Sequence, residues 1–255
     1  MNSVLYSRIK ALGQLYKPSN HKFNHNLCKN LTKSQDMLND LYVGLAIPLN
    51  SISYSTYLLP IYDPYCMGFK DHFIAERGYS MQVGQRKKPT CQKELRSLFI
   101  ELGSDFAKDD ENKFLSKTVS LQVGIPLLDI AEMINQNYSS SIGGFCLFEE
   151  VSDDLLNVLK KGLSIHYPGI EKHPYFINCD ITAQQHKDKT NKMIQELINA
   201  RSKFADVNDP KIDWDVMISS EQMCKIIHTW WDILNEIVVA KPGQTIISWR
   251  DILQQ

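Results

Sequence analysis

Residues 139–163 read SSSIGGFCLFEEVSDDLLNVLKKGL. Leu155, Leu156 and Leu159 recur at helical spacing and give the stretch one apolar face. Gly143-Gly144 carry no side chains, so another backbone can approach closely there. The pattern predicts a helix broken near the glycines. Two carboxylates, Glu149 and Glu150, follow the apolar run FCLF. A carboxylate beside an apolar stripe reaches water, finds a cation or becomes desolvated.

The same period extends outward from this stretch. Leu38, Leu41, Leu45 and Leu49 form a second helical series, with Pro48 predicting a kink. Residues 91–106, CQKELRSLFIELGSDF, are amphipathic through Leu95, Leu98, Phe99 and Leu102, with Glu101 beside that stripe. An acidic start and a Gly124–Pro126 stop predict a helix over 109–124, and another follows at 126–138. Residues 173–204 predict a long helix with Pro174 in its first turn. Residues 213–239 predict a last long helix bearing Trp214, Ile227, Trp230, Trp231 and Leu234. The tail 245–255 fits a strand or a short helix. With short linkers at 17–34, 84–90 and 205–212, about seven helices predict one all-α bundle over 1–255. Its expected core is 35–240, and residues 1–34 are expected to be a partly helical N-terminal extension.

Composition narrows the function classes. The 255 residues carry a net charge of −1, which gives no reason to expect nucleic acid or an anionic membrane as a partner. Six cysteines lie scattered without a CxxC pair, against a zinc ribbon or a disulfide framework. No apolar run of membrane-spanning length is present and the N-terminus lacks a signal-peptide core, so a cytoplasmic location with reduced thiols is expected. There is no Gly-rich phosphate loop, HExxH or GxSxG.

Candidate chemistry therefore rests on polar residues at inward helical positions. Glu101, Glu149 and His186 fall on three different helices. Glu and His from facing helices of a bundle suit iron or manganese with open positions for dioxygen. Cys179, Ala183 and His186 share one helical stripe at i, i+4, i+7. His72 and Glu76 are spaced i, i+4, as an exposed ion pair would be. Tyr138, Tyr175 and His228 are expected to line a pocket. His21 and His25 are expected to be solvated, and Cys146 and Cys224 to be small buried hydrophobes.

The ordered segments LFIELG, GGFCLFE, LKKGLSIHY, HPYF…H and a Trp-bearing last helix resemble the CADD-like branch of the heme-oxygenase-like proteins, which include TenA and PqqC. The resemblance covers roughly 35–240. It implies a seven-helix bundle, commonly a homodimer, that takes no heme and in many members holds two non-heme metals, iron or manganese, acting on a small organic substrate. Glu101, Glu149 and His186 match the family's metal set, with Glu150 a rival one residue away. Glu111 and Cys179 stand where that set has His, and Ala183 stands where it has Asp. The resemblance thus implies either an oxidase or oxygenase of altered ligation or a metal-free pseudoenzyme that binds a ligand. A third reading is TenA-like hydrolysis with Cys179 as nucleophile.

Overall fold

The computed structural model describes residues 4–58, 91–108, 138–180, 187–188, 191–192, 196 and 210–239. Their regular structure is helical throughout: α1 (Val4–Leu15), α2 (Lys22–Asn30), α3 (Gln35–Leu58), α4 (Cys91–Leu102), α5 (Tyr138–His166) and α6 (Pro210–Val239). Short 3-10 turns, Pro18–Asn20 and Ile170–Lys172, precede α2 and a helical segment over 174–180. The helices expected at 109–124 and 126–137, the 84–90 linker, the tail and the pair His72–Glu76 lie outside the described residues. Among the described residues no helix is long and apolar enough to cross a membrane.

The α5–α6 pair is the centre of the fold, and glycine sets its approach. Residues 138–166 form one continuous helix rather than the expected broken one. The glycines serve packing instead. A Cβ on Gly143 would land inside the Val216 carbonyl and the Ser219 hydroxyl of α6. At that crossing Ser220 Oγ lies 3.0 Å from the Gly143 carbonyl and 2.8 Å from that of Val216, placing its proton between the two helices.

Pro48 sits inside α3, which runs on through it. A proline has no N–H, so the Gly44 carbonyl one turn earlier loses its intrahelical partner. Trp230 of α6 fills the gap: its indole Nε1–H donates to the Gly44 oxygen at 2.7 Å. Leu234 and Ile237 press against the bare Cα of Gly44 from the same side. The α3–α6 contact is thereby written by Gly44, Pro48 and Trp230 together.

Helix α4 packs on α3, with the rings of Tyr42 and Phe99 5.4 Å apart. It stops at Gly103, whose φ of +105° favours glycine, with Ser104 N bonded to Phe99 O and Gly103 N to Ile100 O. Asn39 of α3 then fastens the turn by accepting from Ser104 Oγ and Phe106 N.

The first two helices belong to the hydrophobic cluster rather than extending from it. Ile9, Phe23 and Leu27 are fully buried, and Leu27 fits against the bare Cα of Gly162 on α5. Residues of α1 and α2 are thus part of the packed interior. Trp214 departs in the other direction: it stands on the outer side of α6 and is 67% exposed, whereas Trp230 and Trp231 are buried.

Candidate functional site

The expected inward carboxylates separate. Glu149 is 3% exposed and Glu150 7%, so both neighbours are inside, because α1, α2 and α6 all pack around α5. Tyr6 Oη donates to Glu150 Oε2 at 3.4 Å, and the missing side chain of Gly13 leaves room for the Glu150 stem. Burial, then the Glu150 charge, pushes the Tyr6 phenol up to about 12. Lys187 reaches the same group. Burial opposes its charge, but Asp153, Glu150 and Glu149 outweigh that and raise its pKa.

Glu101 does not face inward. Its side chain is 64% exposed, 3.7 Å from His173 Nε2. The inward carboxylate of α4 is Glu94, which accepts from Asn178 Nδ2. The two glutamates are seven residues apart and differ by only about 20° around the helix. Position along α4 decides between them: the 174–180 segment covers the Glu94 end, while Glu101 in the last turn meets only the rim. Burial raises the pKa of Glu94, against the pull of Asn178. The heptad spacing from Glu101 is a signal that places Glu94 on the same stripe as a rival candidate, without ranking the two.

Cys179 is half-buried against the core, and Tyr175 is buried with its ring 5.2 Å from that of Phe176. Lys160–Asp180 at 2.7 Å and Lys187–Asp153 set the described residues of 174–188 antiparallel to α5. Asp180 thus spends its charge at the surface. The side chain of Tyr138, and residues Glu111, Ala183 and His186, lie outside the described residues. Cys146 and Cys224 are buried as expected; burial, then Glu221, pushes the Cys224 thiol up to about 12.

Among the described residues Glu101, Glu149 and Cys179 do not form a cluster of ligand-type groups. The cluster that does form is His21, His228 and Asp232, whose ligand atoms lie within 4.8 Å of one another. His21 is 9% exposed rather than solvated, whereas His25 is exposed as expected. It stands between the Pro18–Asn20 turn and α2, and its Nδ1 accepts the Phe23 N–H at 3.1 Å as the N-cap of α2. Its Nε2 faces Asp232 Oδ1 at 3.4 Å. Asp232 also takes Lys22 Nζ at 2.8 Å and faces His228 Nδ1 at 3.4 Å. The exposed His228 sets its ring edge-on to His21, centroids 4.6 Å apart. Burial lowers the pKa of His21, ahead of the opposing pull of Asp232. Burial opposes the charge on Asp232, but Lys22 and the two imidazoles outweigh it and keep its pKa low.

A metal ion fits this cluster poorly. A neutral imidazole with Nδ1 accepting from a backbone N–H carries its proton on Nε2. The nitrogen turned toward Asp232 then has no lone pair for a cation, and the Lys22 ammonium already occupies the carboxylate. What the arrangement can hold is a proton. Beside it opens a cavity of about 480 Å³ lined by Ser19, Lys22, His25, Cys28, Lys161 and Ile165, among others.

The same cap recurs at His173, 7% exposed, whose Nδ1 accepts the Tyr175 N–H at 3.1 Å. Both read His-x-aromatic at a helix start, a pattern sequence reasoning passed over because histidine is not among the preferred N-caps. No protein-family model, curated protein or solved structure matches the chain.

Proposed function

We propose that the chain is a heme-oxygenase-like helical bundle that binds a small organic ligand without a complete two-metal centre. The observation that carries this reading is Glu101, whose carboxylate lies 64% exposed beside His173 instead of joining Glu149 in the interior. Ala183 and Cys179 add to it, because an alanine offers no ligand atom and a thiolate replaces an imidazole. Elemental analysis of protein produced with added iron or manganese tests it. Substoichiometric metal is expected in the wild type under every supplementation, and one or more equivalents of bound iron or manganese would overturn the reading.

A second reading keeps the metal. Glu149 is only 3% exposed, and a buried carboxylate is costly unless a cation or a hydrogen-bond donor offsets its desolvation. Under this reading Glu149 is a ligand of an iron- or manganese-dependent oxidase acting on a small organic substrate. Stoichiometric metal in the wild type that is lost in Glu149→Gln would establish it and overturn the first.

A further inference from the structure

We propose that His21 is a proton-operated latch, holding the start of α2 while its Nδ1 accepts the Phe23 N–H and releasing it when that nitrogen is protonated. The inference is independent of the ligand-binding reading above.

The imidazole addresses two elements through two different atoms, bonding one and facing the other. Nδ1 caps α2, and Nε2 faces Asp232 of α6. A doubly protonated imidazole has only donors. On protonation the proton enters at Nδ1, so the Phe23 N–H loses its acceptor and meets another N–H. The Nε2–H toward Asp232 remains, and its attraction grows as the ring gains charge. The ring is therefore drawn toward α6 as it lets go of α2.

The surroundings give the latch its direction. From α6 the ring meets His228 edge-on, Asp232 and, at 6.1 Å, the ring of Trp231. Glu236 lies farther along α6 and interacts with both Asp232 and Lys22. From α2 comes Lys22, which holds Asp232, and His25 lines the cavity. From α5 come Asp154, which accepts Ser19 N at 2.8 Å, and Lys161 on the cavity wall. Burial opposes a charge on His21 most strongly, Asp232 favours it, and His228 and Lys22 add to the opposition. The part released is specific: Ser19, Asn20, His21 and Lys22 form one wall of the 480 Å³ cavity. Ser19 stays tethered to Asp154, so the motion expected is a loosening of the α2 start rather than departure of the whole turn.

Amide hydrogen exchange and imidazole NMR on the full chain between pH 5 and 8 test this. The Phe23 amide, corrected for intrinsic exchange, should lose protection by roughly fivefold to tenfold, the worth of one N-cap. Its midpoint should coincide with the His21 titration. His21→Asn supplies a capping oxygen that does not titrate, and should keep Phe23 protected across the range. His21→Ala should leave Phe23 unprotected at every pH; the asparagine variant stands alone should the alanine variant fail to fold. Phe23 protection that ignores the His21 titration, or an unchanged pH profile in His21→Asn, overturns the proposal. So does Zn²⁺ at pH 7 shifting His21 and His228 together, because that requires a free lone pair on His21.

Discussion

Single residues in this protein act by completing what a neighbour lacks. Pro48 deprives the Gly44 carbonyl of its helical partner, and Trp230 supplies one from another helix. Trp230→Phe should therefore cost about 1–3 kcal/mol from the unsatisfied carbonyl alone, beyond the lost ring volume. Pro48→Ala restores a backbone N–H, so Trp230→Phe should cost less in that background. Urea unfolding of the four proteins in the cycle gives the coupling, expected at about 1 kcal/mol. A Trp230→Phe cost identical in both backgrounds would show that the indole contributes only by packing. Pro48 was legible in the sequence; the carbonyl it orphans is one turn back on the same helix, but nothing in the order of residues points to Trp230 as the donor. His21 shows the same limit. Its polar, Asn-rich context reads as solvent, and only Asp232, Trp231 and His228 from a distant helix make it a buried cap.

Among the described elements, amphipathic period marked the helices that became α3, α4, α5 and α6, and glycine roles only partly. Gly143 was read as both a close-approach site and a break, and only the close approach occurs. Continuity wins because α6 supports α5 along its length, so a helical glycine costs only about 1 kcal/mol. Two glycines of α5 should respond differently to a methyl group. Gly143→Ala drives Cβ into a backbone carbonyl of α6, whereas Gly162→Ala meets Cγ and Cδ2 of the Leu27 side chain, which can turn aside where a backbone cannot. Gly143→Ala should destabilise by about 2–3 kcal/mol and Gly162→Ala by distinctly less, as measured by chemical denaturation. Equal costs would mean that α5 and α6 shift apart freely. On α4 the period placed Leu95, Leu98, Phe99 and Leu102 inward correctly. It could not rank Glu94 against Glu101, because one stripe contains both and only the covering segment at 174–180 distinguishes its ends.

For the molecule as a whole, buried ionisable groups pull stability in opposite directions with pH. Burial, then Asp36, pushes Asp40 up to about 6. A raised carboxylate favours the folded state only while protonated, so this contribution is lost as pH rises from about 4 toward 6. Glu94 acts in the same sense. His21 and His173 have lowered pKa values, His21 chiefly by burial and His173 by burial against Glu101. A lowered histidine resists protonation when folded, so its contribution is present above about pH 6.5 and is lost as pH falls below that. The two sets oppose each other just below about pH 6, where rising pH costs the carboxylate contribution and restores the histidine one, and the wild type should show a shallow profile there. Asp40→Asn removes the loss on the alkaline side, so its stability relative to wild type should be higher at pH 7 than at pH 4.5. Denaturant titrations at the two pH values read this directly, and a relative gain that shrinks with rising pH would reverse the assignment.

The sequence by itself determined the all-helical class, the inward leucines of α3 and α4, and that Glu149 stands at an inward position. Those are properties of local period, and local period is written in consecutive residues. Only the tertiary structure decided that α1 and α2 belong to the core, that Glu101 faces solvent while Glu94 is covered, and that His21 meets Asp232 and His228. Burial and pairing depend on what another segment brings to the same place, and the chain separation between those segments — more than 200 residues for His21 and Asp232 — leaves no local trace of the meeting.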